Sequence, residues 1–471
     1  MMLDTRWNKA ALQAQFENSA DIIIECYPSE ESTLLILVFC EGMSDFKQLN
    51  ETVLPVFREV LEEDCPDDEI AIEIGKSLQV HELKSDEEWT VALFSGHLMI
   101  FVANRIYSYN MDKIPKRSPE ESATEISLKG PRDGFTEEIS TNIALIRKRL
   151  RTPNLQNEQF KIGKESHTVV SLLYLKNMAS PEVIQQARER ILNYETNALF
   201  SSMQYEEVLG DKKYSLFPLL DYIGRPDFAA ECLLRGRFVV LVNGSPMALI
   251  GPTNLTEQLK SPEDLHFPFY FVAFERLLRI FGLFVSIFLP GFWIALTAFN
   301  MEQIPFKLLA TVTNSRLGLP LSAPLEALLM LGLFELFREA GIRLPRAVGQ
   351  TVAVVGGLIV GDSAIRAGLT SPTMLVVSAV TAVATFILVN QSLSGTVSIL
   401  RFFSLILSSL MGMFGFFISM MFIIMYMAGL ESFGIGYLEP LAPPSFGGDW
   451  VKAILDVPRR WKYSKPKMFK K

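Results

Sequence analysis

The chain is poor in the residues that build covalent or metal-bound frameworks. Its 471 residues include four cysteines, Cys26, Cys40, Cys65 and Cys232, and four histidines, His81, His97, His167 and His266. No two cysteines form a C-x-x-C pair and no histidine stands at ligand spacing from another, so a disulfide scaffold and a metal site are both unexpected. The catalytic signatures are missing too: no P-loop, no G-x-S-x-G, no H-E-x-x-H and no kinase set. A non-enzymatic protein without a cofactor is the expectation. The N-terminal stretch has no apolar core of a signal peptide, which places the region that follows on the side of the membrane where it is made.

What is present is an uneven distribution of apolar residues. Residues 1 to about 270 are rich in Asp, Glu, Lys and Arg, whereas about 277–430 is dominated by Leu, Ile, Val, Phe, Met and Gly. The net charge of −8 is also unevenly placed. "EEDCPDDE" (62–69) makes the start acidic, and the final 13 residues, "RRWKYSKPKMFKK", hold seven Lys or Arg and no acid. A basic tail after apolar spans suits a cytoplasmic face with anionic headgroups. "IRKRLR" (146–151) is basic but lies in an acidic region, so no nucleic-acid role is expected.

Along the first half, "DIIIECYP" (21–28) and "TLLILVFC" (33–40) read as two strands about a turn. Residues 49–63 read as a helix despite Pro55, and 88–109 as two strands around Ser95-Gly96. A turn-rich connector, 115–155, ends in a helix opened by Thr136, Glu138 and Ile139. Its "GPRDG" turn has two readings, an anion site at a helix start and, more plainly, a structural turn. Residues 167–176 read as a strand, Ser180-Pro181 as a helix start, and 237–252 as a hairpin turning on Asn243-Gly244. The expected fold is therefore an α/β N-terminal region of two subdomains followed by an α-helical multi-pass membrane domain. Its divisions are 1–114, 115–155, 156–270, 271–435 and a basic tail, 436–471.

Five apolar segments follow, near 277–298, 321–338, 345–368, 372–391 and 400–430. The second carries Pro324, Glu326 and Glu335 and reads as the one most suited to an interfacial or re-entrant position, since acids facing lipid are costly. The fifth is longer than one crossing needs. Four and five spans both remain open. The third, "TVAVVGGLIVGDSAIRAG" (351–368), carries the candidate chemistry. Gly357 and Gly361 form G-x-x-x-G, and Gly356 widens that narrow surface for close helix packing, within one chain or around an axis shared by several copies. Val352, Val355 and Ile359 recur at helical spacing, as a hydrophobic gate would. Asp362 and Arg366 are four apart and can pair on one face. Glu326, Glu335, Gln350 and Asn390 are further polar groups at membrane depth, placed either beside a permeation path or at span ends.

The stretches "LKGPRDGFTEEISTNIALIRKRLRTPNL" (128–155) and "GRFVVLVNGSP" (236–246), with the whole run from Pro290 to Ile387, resemble the A subunit of the GerA-type spore germinant receptors. The likeness covers about 115–440. The membrane half is similar also to the stage V sporulation AF type. The resemblance implies a multi-pass subunit of the spore inner membrane in an endospore-forming bacterium, with its N-terminal domain cytoplasmic. It implies a transporter-like B subunit and a lipoprotein C subunit as partners, and assembly into a homo-oligomeric channel that releases monovalent cations when germinant arrives. A non-conducting scaffold subunit and a secondary transporter are the alternatives. Against the transporter, the spans show no inverted repeat.

Overall fold

The computed structural model describes residues 7–27, 35–62, 78, 80–83, 85–102, 105–113, 129–212, 214–343 and 361–442. In the first unit β1 (Ile22–Tyr27) and β2 (Leu35–Cys40) pair antiparallel, and α1 (Lys9–Gln15) precedes them. Next come α2 (Leu54–Glu62), β3 (Val80–Leu83), α3 (Asp86–Leu93), β4 (His97–Val102) and β5 (Arg105–Asn110). The sheet order is β1-β2-β4-β5-β3.

The second unit repeats this plan. After α4 (Ile139–Arg147) come β6 (Leu155–Ile162), β7 (Thr168–Leu175), α5 (Pro181–Leu192), α6 (Ser202–Leu209) and β8 (Asp221–Ile223). Then follow α7 (Pro226–Leu234), β9 (Phe238–Val242) and β10 (Ala248–Gly251), in the order β6-β7-β9-β10-β8. Both sheets thus share one strand order and the pattern hairpin, helix, strand, helix, hairpin. Every pairing between these strands is antiparallel.

Helices cover both faces of each sheet, which explains the unbroken apolar runs. In β2 the alternation sends Leu35, Leu37 and Phe39 toward Leu49, Val53 and Phe57, and Ile36, Val38 and Cys40 toward Leu12, Trp89 and Leu93. The second sheet divides likewise: Val239 and Leu241 meet α4 and α7, while Phe238 and Val240 meet α5 and α6.

One element departs from the sequence reading. Residues 86–93 form a helix, not the first of two strands. Trp89, Thr90 and Val91 favour strands, but Ser85 accepts from the Glu88 amide at 3.2 Å and caps the first turn. Trp89 and Leu93, four apart, then bury on one side.

The second half is helical: α8 (Phe269–Ile294), prolonged by a π-turn to Phe299, then α9 (Phe306–Arg316), α10 (Ala323–Arg343), α11 (Pro372–Phe386) and α12 (Gln391–Ala428). Phe269–Phe299 and Ser392–Ala428 are long and apolar enough to cross a membrane by length and composition. The latter is nevertheless not one rod. At Gly412 the backbone takes φ 62° and ψ −137°, outside helical space. Ser404 and Ser419 then meet at 3.1 Å, and the rings of Phe403 and Phe422 lie 5.6 Å apart. In an unbroken helix residues fifteen apart would be separated by about 22 Å. α12 is a hairpin of two antiparallel arms.

This reversal accounts for the excess length of the fifth apolar segment. The second apolar segment lies within α10, Ala323–Arg343, a helix of 21 residues packed on α11 and α12. Glu326 and Glu335 both find partners inside the protein. α8 and the first arm of α12 lead away from the sheets, whereas α10, α11 and the second arm lead back.

Candidate functional site at the base of the helices

Where the sheets meet the helices, charge is concentrated and buried. Asp264 accepts from Arg276 at 3.0 Å and from Arg279 at 2.9 and 3.1 Å, so the first turns of α8 are tied to the preceding loop. Arg279 also donates to the Leu259 carbonyl. Beside this knot Glu257 faces three cations: Lys260 at 2.5 Å, Arg235 at 3.1 Å and Arg237 at 3.5 Å. Burial alone would raise the Glu257 carboxyl, but these cations hold it well below the usual carboxylate range. Burial acts on Lys260 in the same place, pulling its ammonium down against the attraction of Glu257.

Asn390 joins this junction to the hairpin. Its Oδ1 accepts from the amides of Ser392 and Leu393, capping the first arm of α12. Its Nδ2 donates to Asp221 Oδ1 at 2.8 Å and to Gln258 Oε1. One side chain therefore caps the hairpin and hooks it to β8. Burial pushes the Asp221 carboxyl up to about 6, against the pull of Arg237. The returning arm is held too. Ser432 donates to the Leu219 carbonyl at 2.7 Å, Phe433 N donates to Asp211 at 2.6 Å, and Leu255 N donates to the Tyr437 carbonyl at 2.9 Å.

Polar groups also lie within the helices. Arg401 donates to the Ser286 carbonyl at 2.8 Å and to Thr385 Oγ1 at 2.5 Å, with Glu335 at 3.8 Å. Arg338 pairs with Glu335 and donates to Ser398 at 2.8 Å. Near the other end of α10, Glu326 is buried and accepts from Thr370, from the Ser371 amide at 2.7 Å and from the Ser371 hydroxyl. It thereby holds Ser371, whose hydroxyl caps α11 by accepting from the Met374 amide at 3.2 Å.

The sequence candidates among the described residues are dispersed. Val352, Val355, Ile359, Gly356, Gly357 and Gln350 lie outside the described residues. Gly361 abuts Leu375 of α11, where a Cβ would come within 2.9 Å of the leucine side chain. Asp362 and Arg366 pair at 2.8 Å with both side chains exposed. Glu326 and Glu335 lie in separate polar clusters, and Asn390 lies at the junction. The "GPRDG" turn is structural: Asp133 takes two bonds from Arg149, and Gly130 is pressed against His266 and Arg225. Among the described residues no group of His, Cys, Asp and Glu is arranged to hold a metal.

Sequence reasoning missed Asp221, Arg235, Arg237, Glu257, Gln258, Lys260 and Asp264. The available signal was the charge of "EQLKSPEDL" (257–265) directly before an apolar run.

Comparison with known proteins fits this architecture. A sequence profile described as Bacillus/Clostridium GerA spore germination protein matches residues 10–468. The chain belongs to the GerA family of spore germination proteins. Spore germination protein XA of Bacillus anthracis is 43% identical over 447 residues, covering 93% of this chain and 91% of that protein. A Bacillus subtilis (strain 168) protein described as an uncharacterized membrane protein, YfkQ, is 32% identical, covering 93% of this chain and 86% of its own. A crystal structure of the N-terminal domain of the A subunit of the Bacillus megaterium spore germinant receptor GerK3 covers 52% of this chain and 92% of that one, at 25% identity and a TM-score of 0.39.

Proposed function

We propose that this chain is a multi-pass membrane subunit of a spore germinant receptor and that copies of it assemble around a germinant-gated path for monovalent cations. It works without catalysis, beside a transporter-like B subunit and a lipoprotein C subunit, in the spore inner membrane with the sheets on the cytoplasmic side.

The observation that carries the membrane reading is an inverted distribution of polarity. The helices bury Ser378, Thr381, Thr385, Arg401, Ser404, Ser408 and Ser419. They expose Val376, Val380, Val383, Phe386, Leu410, Phe414, Phe417 and Met421. Water would favour the reverse, whereas lipid favours this arrangement. The membrane description of a relative supports the same reading. Family membership and the glycine- and valine-rich stretch at 352–361 support the channel.

The test is potassium flux through liposomes holding the full-length protein, wild type beside Val355→Ala. Narrowing the side chain at a hydrophobic gate lowers the dewetting barrier, so a larger resting flux is expected from the variant. Equal, negligible flux from both, with the protein folded and oligomeric, favours a scaffold subunit.

A further inference from the structure

We propose that the second sheet unit is seated in the membrane surface, with loop residues 210–212 and 214–217 and the base of α8 lying in the headgroup layer of the leaflet beside it. This inference rests on the membrane reading above.

The depth of the loop is set by its hydrogen bonds. The Leu216 carbonyl accepts from Thr396 Oγ1, and the Leu216 amide donates to Tyr426 Oη at 3.0 Å. Lys212 reaches the Gly429 carbonyl at 2.7 Å. Thr396 lies five residues inside the first arm, about 8 Å along it, and that arm of some 21 residues is about 31 Å long. A hydrocarbon core is about 30 Å thick. The Leu216 backbone is therefore not above the hydrocarbon boundary: an arm filling the core would place it about 8 Å within, and an arm starting in the headgroups places it at the boundary. At that level Tyr214 is 95% exposed and Leu216 42% exposed.

α8 gives an independent measure. From Phe269 to Phe299 it has 31 residues, or about 46 Å, close to the 40–45 Å of a bilayer including its headgroups. Its excess lies at the base, where Arg276 and Arg279 turn inward to Asp264. On the exposed side stand Phe269, Tyr270, Phe271 and Phe274, continued by Leu277, Leu278 and Phe281. Tyrosine gathers at this depth because its ring is apolar and its hydroxyl polar, and the phenylalanine rings beside Tyr270 suit the acyl boundary. Loop and helix base both expose aromatic and aliphatic side chains where the sheet unit meets the helices, which selects lipid as the occupant.

The experiment uses the full-length chain with Cys26 and Cys65 replaced by serine, in vesicles of phosphatidylcholine and phosphatidylglycerol. Nitroxide labels are placed at Tyr214→Cys and Phe274→Cys, with Lys47→Cys as an aqueous reference and Phe417→Cys as an apolar one. Labels at 214 and 274 are expected to lose contact with a water-soluble nickel chelate relative to 47, and to gain collisions with lipid-dissolved oxygen. If both are as open to nickel as 47 while 417 is lipid-immersed, the inference falls and the membrane reading stands. If 417 is equally open to nickel, both fall. Shielding of 214 from nickel and oxygen alike would mean a protein neighbour and would overturn lipid as the occupant.

Discussion

The hairpin in α12 makes the sharpest prediction, because the two possible shapes of Gln391–Ala428 differ by tens of ångströms. Ser404 and Ser419 are 3.1 Å apart between hydroxyl oxygens. Replacing both with cysteine puts their Cβ atoms near the roughly 3.5–4.5 Å a disulfide needs. A straight helix would hold them about 22 Å apart, beyond any backbone fluctuation. Membrane-permeant oxidation of the Ser404→Cys, Ser419→Cys variant should therefore yield an intramolecular crosslink. It is read by mass spectrometry of the linked peptides, with Ser404→Cys, Phe414→Cys as the unlinked comparison. Gly412 supplies the energetic half of the argument. Its φ and ψ suit glycine alone, so alanine costs about 1–3 kcal/mol in backbone strain. The new Cβ would lie 2.8 Å from Phe299 Cβ and Cγ, adding about 1–3 kcal/mol of overpacking. Gly412→Ala should lower Tm, and Phe299→Ala in the same chain should recover the overpacking share only. Failure of the cysteine pair to link, with both thiols alkylated by a small permeant reagent, would refute the reversal.

Two further outcomes concern buried charge. Asp21 accepts from Arg147 at 2.7 and 2.9 Å and joins the two sheet units. Burial raises its carboxyl, but Arg147 and Asn157 more than compensate and leave it below the usual value. Its contribution is thus present above pH about 3.8 and lost as pH falls through the lower folded value. Asp21→Asn should cost about 3–5 kcal/mol at neutral pH by stranding a buried guanidinium, seen as a fall in Tm. Asp221 has the opposite sign. Its folded value is raised to about 6 from 3.8, so its contribution is complete below pH about 3.8 and lost as pH rises through about 6. Some two units correspond to about 3 kcal/mol. Asp221→Asn keeps the acceptor for Asn390 and should be more stable than wild type at pH 8, with parity near pH 4; lower stability at pH 8 with unchanged pH dependence would count against a strained carboxylate there.

Much of this protein was decided locally. The composition break near Pro268, the strands at 22–27, 35–40 and 168–175, the helix start at Ser180-Pro181 and the hairpin at Asn243-Gly244 all follow from periodicity, turn residues and caps, which act over a few positions. Residues 86–93 show the limit of that reasoning, since propensity and capping disagreed and the cap, with burial of Trp89 and Leu93, prevailed. Three features needed the tertiary structure. The two sheets share a strand order that no internal sequence repeat announced, because different apolar residues fill equivalent places equally well. The run "LMGMFGFF" (410–417) contains two glycines and does not say which one reverses the chain; contact with Phe299 places the turn at Gly412. The junction unites Asp221, Glu257 and Asn390, whose partners are as many as 169 residues apart in sequence. Hydrophobic pattern is a property of neighbours along the chain, whereas the strength of an ion pair depends on distance through space and on burial, and folding alone sets both.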